Sequence, residues 1–323
     1  MKYILLFSII IFSVAASAQD CSKELLAQKP GTWKAGLKGS IVNVSAADLA
    51  KEKAVLAKIH NMVNTGYSPK GCQVLYGTTF GKSLATNQSW IADPYYYSMY
   101  ILRYLCDQQS ADKSKYYVDH ATPTTVNIIA NASYWLNTLY AADMGDDFRG
   151  YLKLTKRPEK KEGFYFMGEE KAYDEPLYEY RWLITYNDTL PFSYLTRKEY
   201  LVIQKNRLDK SLKENPGSKV YLDKYYKNIS DFLTKSETEL EKTAVCMWND
   251  EERFERFVDE GTKGSFIAIK SNLDYYHKKL PKSSPQFFTV VYKISKDGAV
   301  FDTNMEAIIK AVDFSTLKNM LGK

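Results

Sequence analysis

The sequence predicts an α+β fold, with antiparallel sheet or sheets and helices packed on one side. Residues 71–187 break into short runs rich in tyrosine, valine and isoleucine, with no long helical segment between them. Parallel strands need a crossover of a dozen or more residues, usually a helix, so an antiparallel meander is the simplest pairing. Residues 196–240 then carry apolar side chains at helical spacing. Strand-rich and helix-rich stretches follow one another without strict alternation, the pattern of α+β domains.

The first residues are not expected to join this fold. Lys2 precedes an apolar run over residues 4–14, and Ala16-Ser17-Ala18 follows. That is the basic, apolar and small-residue layout of a secretory leader, cleaved after Ala18. The run is shorter than the ~20 residues that span a bilayer. Asp20, immediately before Cys21, is unsuited to lipid attachment at that cysteine. The expected organisation is therefore a signal peptide over 1–18 and one globular region over 19–323. Within that region, 19–187 holds a helix and a β-rich part, and 188–323 is mainly helical with two further strands.

Residues 19–44 lack periodicity and read as an irregular lead-in pinned by Trp33. Ser45 and Asp48 then form an S-x-x-D start signal, followed by Leu49, Val55, Leu56, Ile59, Met62 and Val63 on one stripe, with Gly66 as the stop. Strands are expected at 73–76, 95–104, 124–130, 151–155, 163–167 and 177–186, with 159–163 as a hairpin tip. Asn187, Asp188 and Pro191 end the last of these, because proline cannot donate to a ladder. Thr196-Arg197-Lys198-Glu199 is a capping box opening a helix that runs out near Pro216-Gly217. A second helix from Ser218 places Leu222, Tyr225, Tyr226, Ile229, Phe232 and Leu233 on one face. Asn249-Asp250 would open a short helix carrying Phe254 and Phe257. Strands at 265–270 and 286–294 and helices at 305–312 and 314–321 complete the chain.

Composition narrows the function classes. With 45% hydrophobic and 25% charged residues over 323 positions, the chain is globular in type. Its net charge of +6 falls to +5 without Lys2, and the basic residues are not concentrated, so no nucleic-acid partner is expected. No later segment is long enough to span a membrane. The four cysteines, Cys21, Cys72, Cys106 and Cys246, are even in number, as a disulfide-forming exported chain would have. Cys72 with Cys106 is the preferred pair, since both lie in the strand-rich half.

Standard catalytic and metal motifs do not occur. Residues 77–83 imitate a phosphate loop but have three residues between the glycines where four are required, so they read as a turn. Of three histidines, His60 flanks the apolar stripe of the first long helix, and His277 is followed by Lys278-Lys279. His120, beside Asp119, is the only weak catalytic candidate, and no metal or cofactor is expected. Asp143, Asp146 and Asp147 lack the spacing of a calcium loop. Asp250 and its two acidic neighbours read as a helix start.

Tyrosine is the compositional outlier, at 26 residues. Tyr95, Tyr96, Tyr97, Tyr100, Tyr178, Tyr180 and Trp182 cluster in two strands and form the candidate binding set, since such rings combine a flat apolar body with a polar tip. The segments CSKELLAQKPGTW (21–33), LPFSYLTRKEYL (190–201) and YYHKKLPKSSPQFFTVVY (275–292) resemble parts of uncharacterised exported bacterial proteins. That resemblance implies a bacterial exported protein and carries no activity with it. The expected function is a non-catalytic binding or structural protein of the cell envelope or extracellular space. Its partner would be an envelope protein, a peptide or a glycan. The alternatives are an exported hydrolase using His120 and a glycan binder using the surface aromatics.

Overall fold

The computed structural model describes residues 20–36, 39, 41–42, 44–81, 92–121, 124–131, 151–171, 177–250 and 253–323. The expected leader and cleavage point lie outside them. The described residues form two mostly antiparallel sheets with helices, the α+β class expected from sequence.

The large sheet contains β1 (Thr32–Ala35), β2 (Ile41–Val42), β3 (Cys72–Gly81), β4 (Tyr95–Cys106), β5 (Tyr116–Val118), β6 (Thr125–Ala130), β8 (Glu159–Lys161), β9 (Phe164–Lys171), β10 (Leu177–Ile184) and β14 (Phe288–Ser295). Its main order is β1-β3-β4-β6-β14-β10-β9-β8. The small sheet gathers β7 (Leu152–Leu154), β11 (Phe192–Tyr194) and β12 (Val245–Met247) around β13 (Ser265–Ser271). Strand alternation gives each sheet two apolar faces. In β13, Ile267 and Ile269 point to the core shared with Met167 and Leu183 of the large sheet, whereas Phe266 and Ala268 point away. The outer face of the small sheet is covered by α3 (Arg197–Glu214) and α4 (Lys219–Leu233) through Leu201, Leu208 and Ile229. The outer face of the large sheet is covered by α2 (Ala46–Gly66), α6 (Ala299–Ala311) and α7 (Phe314–Lys318). The layers therefore run helix, large sheet, small sheet, helix. Among the described residues no helix is long and apolar enough to cross a membrane.

Local signals explain the best-defined elements. Ser45 accepts from the Asp48 N–H to start α2, and Thr196 with Glu199 forms the reciprocal capping box of α3. Glu162 and Gly163 both have positive φ, 52° and 84°, and turn β8 into β9 as a two-residue hairpin loop. The strip read as a hairpin tip is thus itself an edge strand plus its turn.

Several expectations are corrected. The sheet is not a meander: β14, from near the end of the chain, sits between β6 and β10, so the two stretches of sequence interleave. The lead-in contains α1 (Lys23–Gln28) and β1, and β1 and β2 both pair with β3 in parallel. Residues Gly77 to Gly81 of the phosphate-loop imitation continue β3 as strand instead of turning. Gly66 is the last residue of α2, without a left-handed φ. A Cβ there would lie 3.0 Å from Ala311 Cβ, so the glycine permits α2 to approach α6 closely. Phe254 and Phe257 lie outside helix, after a single 3-10 turn at Trp248–Asp250, and reach the core through an irregular segment bridged to Cys246.

The cysteine pairing also differs. Cys21 is bonded to Cys106, while Cys72 and Cys246 are buried and lie outside any disulfide. The strand register gives the reason: Cys72 stands opposite Arg103, three residues from Cys106. Three strand residues span about 10 Å, beyond the ~7 Å Cα separation that a disulfide tolerates. Cys72 points into the core within 3.8 Å of the Tyr67 hydroxyl, and burial pushes its thiol up to about 11. A disulfide of this kind persists in oxidising compartments.

Candidate functional site

The alternation of β10 places Tyr178, Tyr180 and Trp182 on the helix-covered face of the large sheet, all half-buried. Cross-strand register extends this aromatic row. Tyr180 is paired with Tyr292 of β14, and Trp182 with Phe166 of β9, their ring centroids 5.0 Å apart. The chain of α6 passes beside the row. Asp302, Met305, Glu306 and Ile309 recur at i, i+3, i+4 and i+7, so one stripe of that helix faces it. Between helix and strands lies a cleft of about 370 Å³, within the size range of small-molecule sites at about 300–1,000 Å³. Phe314 of α7 closes against Trp182, with centroids 5.3 Å apart.

The walls are apolar and aromatic, and the rim carries both charges. Lys161 lies over Phe166 at 4.1 Å and pairs with Glu159 at 3.1 Å. Lys296 pairs with Asp302 at 2.8 Å, and this hydrogen bond raises its ammonium above the usual range; desolvation opposes it, and the charges of Asp302, Tyr180 and Glu306 add to the rise. Burial, then Glu169, raises the Tyr180 hydroxyl. Tyr292 borders the cleft, is 1% exposed, and its hydroxyl has no hydrogen-bond partner among the described residues. Burial raises it well above an ordinary phenol. The site therefore offers flat apolar surfaces encircled by donors and acceptors whose charges balance.

The seven aromatics singled out in the sequence do not form one platform. Tyr180 and Trp182 line the cleft, and Tyr178 is on the same face. Tyr95 and Tyr97 are fully buried in the core, where Tyr95 donates to the Ser283 carbonyl at 2.9 Å and Tyr97 meets His60 Nδ1 at 2.8 Å. Tyr96 packs on Ile129 and Val291 on the opposite face, and Tyr100, 43% exposed, shares that face by alternation. Phe166, Tyr292 and the α6 stripe were not singled out. The helical spacing of 302, 305, 306 and 309 was present, but only strand register reveals what it faces.

His60 is held by a stacked Tyr76, 4.3 Å away, and by Tyr97, and burial lowers its pKa. His120 is exposed; its neighbour Asp119 accepts from Arg103 Nε at 3.1 Å and from the Ala121 N–H at 3.0 Å. His277 stands edge-on to Tyr186. Among the described residues no three histidine, cysteine or acidic side chains converge on a possible metal position, and Asp143, Asp146 and Asp147 lie outside those residues. No family model, curated protein or solved structure matches the chain.

Proposed function

We propose that the chain is an exported, non-catalytic binding protein that uses the cleft between β10, β14 and α6 to hold a neutral ring ligand, a sugar of an envelope or extracellular glycan. The observation that carries this reading is the convergence of Phe166, Tyr180, Trp182 and Tyr292 on one cleft whose rim carries Lys161, Lys296, Asp302 and Glu306. A sugar ring has an apolar C–H face that packs on aromatics and hydroxyls that need surrounding donors and acceptors. A purely apolar side chain of a peptide would use the floor and leave the rim without a role. A cationic ligand would have to displace Lys161, which already lies over Phe166. Export is supported by the leader-like residues 1–18 and by the Cys21–Cys106 disulfide.

Calorimetric titration with neutral chito-, cello- and malto-oligosaccharides tests the reading. At least one series is expected to bind, with affinity reduced at least tenfold in W182A. Absence of binding across all three, in protein confirmed as folded, contradicts it.

A further inference from the structure

A second hollow lies away from the aromatic cleft, between α2 and the end of the chain. Lys51, Val55 and Lys58 occupy i, i+4 and i+7 of α2 and share one face of it. Across from them Thr316, Met320 and Lys323 repeat the same spacing through α7 and the turn that follows. The two stripes enclose about 420 Å³. Val55 and Met320 belong to the large core and supply the apolar floor, whereas the three lysines are exposed at its edge. No aspartate or glutamate side chain lines the hollow. Of the acidic groups on the same elements, Glu52 is buried on the sheet side of α2, and Asp48 and Asp313 are engaged locally. Asp48 accepts from Ser45 and from Ser283, both at 2.7 Å, and Asp313 accepts from the Ser315 N–H and the Thr316 hydroxyl.

This charge distribution is the opposite of the aromatic cleft's. There each rim lysine is ion-paired with a carboxylate side chain; here, among the described residues, neither Lys51 nor Lys58 is in ion-pair contact with one, and Asp48, which feels the Lys51 charge, is already held by Ser283 and Ser45. We propose that the hollow binds an anionic amphiphile, a molecule with a carboxylate or phosphate head and an alkyl or aryl body. The lysines take the head as point charges with rotatable donors, and the body covers Val55 and Met320. The head could belong to a free molecule or to a lipid in an anionic bilayer, since the recognition chemistry is the same.

The test is calorimetry of the full chain with decanoate and with decyltrimethylammonium, which present similar chains under opposite charge. Decanoate is expected to bind one-to-one and at least tenfold more tightly than the cation, and to weaken at least tenfold in K51E/K58E. K51Q/K58Q, which removes charge without reversing it, should show a smaller loss, and W182A should leave decanoate binding unchanged. Co-sedimentation with phosphatidylglycerol and phosphatidylcholine vesicles separates the sources. Decanoate binding without sedimentation assigns a free ligand, and selective sedimentation with phosphatidylglycerol that is lost in K51E/K58E assigns a bilayer. Equal affinity for the cation, indifference to both lysine variants, or binding to neither decanoate nor anionic vesicles overturns the proposal.

Discussion

At one end of the large sheet Tyr95 and Tyr97 lie fully buried beneath α2, whereas toward the other end Tyr180 and Trp182 stand half-exposed beside α6, on the same face. The strands are alike in composition, so the covering helix makes the difference. The 21-residue α2 presents Leu56, Ile59 and Val63 to the sheet and brings His60 to the Tyr97 hydroxyl. The stripe of α6 toward the cleft includes Asp302 and Glu306 with Met305 and Ile309. Asp302 stays half-exposed even in its pair with Lys296, and Glu306 is exposed, so that part of the helix keeps its hydration and does not seal onto the aromatics. An aromatic strand becomes core or binding wall according to what its cover can afford to dehydrate.

Substitutions sharpen this contrast. The largest expected effect is Tyr97→Ala, which removes a fully buried ring and should cost about 4 kcal/mol in urea unfolding. Next is Glu52, 0% exposed beneath the same end, where it accepts from the Gly81 N–H at 3.0 Å. Burial, with lesser contributions from Asp93 and Asp48, pushes its carboxyl up to about 8 from 4.5. A folded pKa raised above the unfolded one means that the native state binds more protons between these values. The contribution of Glu52 is thus intact below pH 4.5, declines as pH rises to about 8, and is flat beyond. Glu52→Gln should remove that decline, giving a variant a few kcal/mol more stable than the parent at pH 9 and little changed at pH 4, as measured by unfolding at both. Trp182→Ala should cost only about 1.5 kcal/mol, because its ring is partly solvated before truncation. A loss as large as that of Tyr97→Ala would erase the distinction between the two ends. Smallest is Tyr97→Phe, expected to cost about 1 kcal/mol through the His60 hydrogen bond alone.

Much of the architecture was legible in local signals. The Ser45 and Thr196 starts, the six strands expected over 71–187 and the α3–α4 pair follow from capping chemistry and periodicity. What could not be read was non-local. The insertion of β14 between β6 and β10, the parallel docking of β1 on β3 and the Cys21–Cys106 bond depend on pairings between distant residues, for which one sequence carries no spacing signal. The binding set shows the same division. Tyr180 and Trp182 stood out as aromatics in a strand, but so did Tyr95 and Tyr97, and only the overlying helices separate them. Phe166 and Tyr292 become partners through register, which alternation alone does not fix.

The most direct measurement compares two aromatics on opposite faces of the same sheet, half-buried Trp182 at the cleft and exposed Tyr100 on the far side. In titrations with the tightest-binding neutral oligosaccharide, W182A should lose at least tenfold in affinity and Y100A should match the parent. Equal losses in both variants, or a loss confined to Y100A, would contradict the assignment of the cleft as the ligand site.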